Sequence, residues 1–131
     1  MDTNIEVGLQ YIRALESGAT GDALAKFFTS DAFIREMPSR IAPLGSVSNL
    51  AKALEGAKRG QDLFKRQTYT IINIMGEGDR VALEMEWMGV TAVQFESIPP
   101  NSEMRNHVAV FLEFRNARIA VQRHYDCFEP W

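Results

Sequence analysis

Gln122, His124 and Asp126 fall at every second position of the run 118–126, RIAVQRHYD, so an extended backbone sets an amide, an imidazole and a carboxylate on one face. Alternation sends Ile119, Val121, Arg123 and Tyr125 to the other face. A carboxylate and an imidazole against apolar walls lose solvation. That would raise Asp126 toward the range of a useful general base and keep His124 neutral. Glu36, in AFIREMP, adds a second carboxylate on the strand face of Ile34. Tyr11 lies off the Ile5, Leu9, Ile12 stripe of its helix, with a ring able to pack and a hydroxyl free to reach a polar partner. Each also has a structural reading: a polar layer satisfied within the core, a surface glutamate paired with Arg35 or Arg40, a tyrosine that simply packs. Both sets of readings stay open at this point.

These groups need walls. Val81, Leu83, Met85 and Trp87 alternate along RVALEMEW, and Val108, Val110 and Leu112 do so along HVAVFLEF, so each strand has one apolar face; the resemblance described below implies that both face the same hollow. With that hollow the candidate ligand-binding set is Gln122, Val110, Leu112, Trp87, Met85 and Leu83, although aromatic and methionine rows in a small domain are usually plain core. His107 starts a strand on the face opposite Val108 and reads as outward. Cys127 follows Asp126 by one residue and points away from it, with nothing nearby to activate a thiolate. No metal ligand set and no cofactor motif is read from the spacing.

The elements that must position these residues change character along the chain. Thr3 and Glu6 form a capping box opening a first helix, stopped at Ser17-Gly18. A short second helix from Asp22 buries Leu24, Phe27 and Phe28, and a strand runs from Phe33 to Glu36. PSRIAPLGS reads as loop, Ser46 as the cap of a third helix with Leu50, Leu54 and Ala57 on one face, and Gly60 as its end. From Lys65 the period becomes two, giving four antiparallel strands with breaks at GEGD, SIPPNSEM and RNA. The order is that of an α+β fold in one domain spanning 1–131.

The composition narrows the function classes. The 131 residues carry 14 basic and 17 acidic side chains, a net charge of −3, with no basic block suited to nucleic acid or an anionic membrane surface. With one cysteine there is no internal disulfide, and the opening MDTNIEVGLQ has neither the basic patch nor the apolar run of a signal peptide, so the expected location is the cytoplasm.

Three phrases, taken in order, resemble the nuclear-transport-factor-2-like superfamily and, within it, the SnoaL-like polyketide cyclase and ketosteroid isomerase branch. YIRALESG with DALAKFFTSDAFIRE is similar to its first helices and strand, GEGDRVALEMEW to its central hairpin, and FLEFRNARIAVQRHYD to its closing strands. The resemblance implies a cone-shaped, curved mixed/antiparallel sheet with three N-terminal helices packed on its concave face. It also implies a hydrophobic pocket for a small apolar molecule, no cofactor, and a homodimer through the outer sheet face. Tyr11 matches the helix-one tyrosine and Glu36 the general base of the isomerases, while Val110 stands where their second oxyanion donor, an aspartate, would be. VALEMEWMGV lacks the Arg-x-Asp pair of the superfamily's epoxide hydrolases. Asp126 is similar in position to the acid–base aspartate of the cyclases. The resemblance thus implies either an isomerase or cyclase with Asp126, His124, Glu36 and Tyr11 in its site, or a non-catalytic binding or assembly module on the same fold.

Overall fold

A computed structural model describes residues 2–131. The first helix, α1 (Thr3–Glu16), begins when the Asp2 carboxylate accepts a hydrogen bond from Asn4 N at 2.7 Å. The cap is therefore Asp2 rather than the Thr3–Glu6 box, because an aspartate one residue earlier captures the same unpaired amides. The second helix, α2 (Asp22–Ala25), is a single turn, and Phe28 already belongs to strand β1 (Phe28–Glu36). This strand starts earlier than the expected Phe33 because its register shifts between Phe28 and Phe33 and breaks the two-residue period there.

Ser46–Ser48, expected as loop and helix cap, is a three-residue strand, β2, too short to show a period. The third helix, α3 (Leu50–Leu63), is capped by Asn49, whose side chain accepts from Lys52 N at 2.9 Å. It runs through Gly60 instead of stopping there, since Gly60 does not adopt the left-handed conformation that ends a helix. The chain then enters β3 (Phe64–Glu77) directly, followed by β4 (Arg80–Thr91), β5 (Glu103–Arg115) and β6 (Arg118–Phe128). At the β5–β6 turn Asn116 and Ala117 both take positive φ, 52° and 62°, as a tight hairpin with right-handed strand twist requires.

One curved, unclosed sheet of six strands results, in the order β2-β1-β6-β5-β4-β3. The β1–β6 pair is parallel and the other neighbours are antiparallel. Helix α1 packs on β3 and β4, and α3 reaches β1, β2 and β3. Gly76 lets α1 approach the sheet. Gly8 is buried against Leu112 and Val81, and a Cβ on Gly76 would come within 2.9 Å of Ile5 Cγ1. The most deeply buried side chains are Ile12, Val81, Met85, Val110, Leu112 and Ile119, along with Thr91. Truncating any one of the large apolar members to Ala costs about 2–5 kcal/mol.

Ile119 is a correction to simple alternation, being fully buried rather than on the Val121 face. The β5–β6 register passes from Glu113↔Val121 to Phe114↔Ile119, so Ala120 is an extra residue that inverts the parity of everything before it. Beyond that bulge the alternation holds, and Gln122, His124 and Asp126 sit opposite Leu112, Val110 and Val108. No helix among the described residues is long and apolar enough to cross a membrane.

Candidate functional site

A cavity of about 620 Å³ lies between α3, the end of α1 and the sheet. Its lining is mostly apolar, including Leu54, Ala57, Phe64, Trp87, Met104 and Phe128. The cavity explains an oddity of α3: this 14-residue amphipathic helix has no buried residue. Its apolar stripe, Leu50, Ala53, Leu54 and Ala57, lines the hollow and is only partly buried where it packs against the core.

The polar groups on the wall cluster around β6. His124 Nε2 lies 2.8 Å from Asp126 Oδ1, and the same oxygen accepts from Asn106 Nδ2 at 2.7 Å. Asn106 is itself buried, and its own oxygen accepts from Cys127 N at 2.8 Å, so the amide locks the carboxylate to the β5–β6 ladder. Burial alone would raise Asp126 and lower His124, as expected from the sequence. The structure reverses both directions. Burial is the largest single influence on each, yet direct contact outweighs it. His124 and Asn106 together hold Asp126 below the usual carboxylate range. Asp126, helped by the charge of Glu36, holds His124 above the usual imidazole range. The pair is thus an imidazolium next to a carboxylate over the pH range where both shifts operate.

Glu36 is directly opposite His124 on the neighbouring parallel strand, so His124 is flanked by carboxylates from two strands. Tyr11, from α1, presents its ring to Phe27 and Phe28, with centroids 5.8 and 5.3 Å away, and is part of the cavity lining. Burial pushes that hydroxyl up to about 12, partly offset by the adjacent Gln122 side chain and reinforced by Glu36. Tyr69 enters from β3, and burial, with Tyr11, Asp126 and Glu16, pushes its hydroxyl up as well. The backbone at Tyr69 is clamped to α1, since its N–H donates to Glu16 at 2.7 Å and its carbonyl accepts from Arg13 at 3.1 Å. Gln122 is buried in the cavity wall, and its Oε1 has no hydrogen-bond partner. Among the described residues no group of His, Cys, Asp and Glu is arranged to hold a metal ion.

Over residues 9–122 the chain matches the SnoaL-like domain. It belongs to the SnoaL-like domain family. Among curated proteins none matches the chain. The solved structures place this SnoaL-like domain among distant relatives. IdmH of Streptomyces antibioticus, a candidate polyketide cyclase, is 21% identical with a TM-score of 0.77, covering 98% of this chain and 93% of that one. An epoxide hydrolase of the LEH-like type from M. tuberculosis is 15% identical with a TM-score of 0.72, covering 97% and 83%. A protein of ketosteroid isomerase-like fold from Catenulispora acidiphila, solved with trimethylamine, is 20% identical with a TM-score of 0.67, covering 92% and 84%. At these identities the likeness establishes the shared fold alone.

Of the residues singled out in the sequence, Asp126, His124, Glu36, Tyr11, Gln122 and Trp87 all line the cavity of this SnoaL-like domain. Val110, Leu112, Met85 and Leu83, expected as ligand contacts, do not. They are 1–2% exposed core residues, because the lower part of the inner sheet face is filled by α1. His107 is outward, as expected, and meets Glu129 at 3.0 Å. Sequence reasoning missed Asn106, Tyr69 and Gln67. All three were legible by parity: Asn106 shares the face of Val108, and Gln67 and Tyr69 share that of Ile71. Gln67 accepts from Trp87 Nε1 at 2.9 Å and so fixes the indole on the cavity wall.

Proposed function

We propose that this SnoaL-like domain holds an apolar, carbonyl-bearing small molecule in its cavity and acts on it by general acid–base chemistry, as a cofactor-free isomerase or cyclase. In this reading the curved sheet is the cone of the superfamily and the three helices close its concave face. One observation carries the proposal: the His124–Asp126 pair stands on the wall of a cavity that is otherwise mostly apolar, with two tyrosine hydroxyls beside it. In its neutral form, populated as pH rises through its raised value, His124 donates Nε2–H to Asp126 and leaves Nδ1 free to take a proton from the carbon next to a carbonyl. A base raised by its carboxylate partner is a stronger base, so the acid–base unit is the pair rather than Asp126 alone. Tyr11, with its hydroxyl at about 12, stays protonated at neutral pH and donates to the oxyanion that forms. Returning the proton to a different carbon isomerises the ligand; attack of the enolate on a second carbonyl within it closes a ring.

Native mass spectrometry of freshly purified protein tests the first half, by a bound mass that fits the cavity. Turnover of that molecule tests the second. Asp126→Asn and His124→Gln should each abolish it, and turnover retained in both removes the assignment. A second reading, a non-catalytic binding module, is favoured by the completeness of the Asp126 hydrogen bonds, which a purely structural polar layer would also show. Ligand affinity lost in Asp126→Ala, with no chemistry in the parent protein, selects that reading.

The outer sheet face is proposed to take a second copy of the chain. Phe33, Phe111 and Tyr125 are 45%, 42% and 40% exposed on adjoining strands β1, β5 and β6, with Phe111 and Tyr125 in edge contact at 5.8 Å. Glu113 and Arg123 pair at 2.6 Å among them, so a two-fold-related copy meets charges of both signs. Sedimentation should give a dimer that Phe111→Glu converts to monomer; a monomeric parent protein overturns it.

A further inference from the structure

The mouth of the cavity carries cations that the chemistry above does not use. Lys52 and Arg59 both line the cavity from α3, and Gly56 lies between them on the same wall. Residues 52, 56 and 59 are spaced i, i+4 and i+7, which on an α-helix is a single stripe. The Arg59 guanidinium folds back along the helix until its Nη2 is 3.7 Å from where a Gly56 Cβ would stand. With the guanidinium folded back to the level of residue 56, about one turn from Lys52, the two cations share one stretch of the α3 wall.

Neither cation forms a salt bridge among the described residues. This holds although Glu55 stands i+3 from Lys52 and i−4 from Arg59, positions from which an acidic side chain readily pairs on a helix. Glu55 is not on the cavity wall, whereas the cations are. Across the hollow the acidic groups are Glu36 and Asp126, and Asp126 is already engaged by His124 and Asn106.

We infer that the ligand of this cavity is an amphipathic acid: an apolar body with a carboxylate that docks on Lys52 and Arg59 at the α3 wall, while its carbonyl end reaches Tyr11, Tyr69 and the His124–Asp126 pair. The inference rests on the cavity being a ligand site and names the class of molecule that site takes. A guanidinium presents paired donors that match the two oxygens of a carboxylate, and an adjacent ammonium adds a point charge. Docking there also covers the half-exposed apolar stripe of α3, so the same contact orients the ligand and completes the packing of the helix.

The test compares 6-methoxy-2-naphthoic acid with its methyl ester, followed by naphthalene fluorescence on the full chain. The acid should bind the parent protein on the order of tenfold more tightly than the ester, the size expected of a charge-assisted hydrogen bond. That preference should shrink as salt is raised. The double variant Lys52→Gln, Arg59→Gln should lose it while keeping the affinity for the ester, and Lys58→Gln, off the cavity wall, should change nothing. An ester that binds as well as the acid, or a preference that survives the double variant, overturns the anion site and leaves the cavity reading intact. Failure of both probes to bind the parent protein overturns both.

Discussion

Asp126 and His124 share a 2.8 Å contact although they stand two residues apart on one strand, and the contact sets the charge of each. The pH dependence of stability follows from the two shifts, taken one at a time. His124 is raised, so its contribution is fully present below the ordinary imidazole value of 6.5 and is lost as pH rises through its folded value above that. Asp126 is lowered, so its contribution is present above the ordinary carboxylate value of 3.8 and is lost as pH falls through its folded value below that. The melting-temperature difference between the parent chain and Asp126→Asn should therefore be largest between pH 3.8 and 6.5 and should narrow on both sides. Calorimetry across that range measures it, and a flat difference would contradict the ion pair.

Asn106 holds the carboxylate in place, donating to Asp126 and accepting from Cys127 N. Asn106→Ala leaves the part-buried Cys127 N–H without its partner and removes one donor from Asp126, at a cost of about 1–3 kcal/mol. Urea denaturation should show that loss, and NMR titration should show Asp126 moving up toward 3.8. A merely space-filling Asn106 would give the first result without the second.

Gly89 lies beneath the Trp87 ring, where a Cβ would collide with the indole and approach Phe64 to within 2.9 Å. Because Gln67 and the edge of Phe64 hold that ring, it has little room to retreat. Gly89→Ala should cost about 1–3 kcal/mol and shift the tryptophan emission as the ring moves on the cavity wall. An unchanged emission spectrum would mean that the indole is not fixed there.

Much of the fold is legible in the residues themselves. The two-residue period of RVALEMEW and HVAVFLEF announces two inner strand faces, and Val81, Leu83, Met85, Trp87, Val108, Val110 and Leu112 are all buried on them. Boundaries are legible only where a single local signal acts alone. Asp2 displaced the capping box at Thr3, and Gly60 stayed helical because the chain continues into β3 without a turn.

Chemistry-bearing residue types and their parity on a strand are thus properties of the sequence, because alternation is a local consequence of the extended backbone. Which part of the inner face stays hollow is not local. Leu112 and Trp87 satisfy the same alternation, yet α1 covers one and the cavity exposes the other. The charge of His124 and Asp126 is likewise tertiary. Burial and pairing push each group in opposite directions, and the 2.8 Å contact, with Asn106 acting on Asp126 and Glu36 on His124 from other strands, decides which prevails.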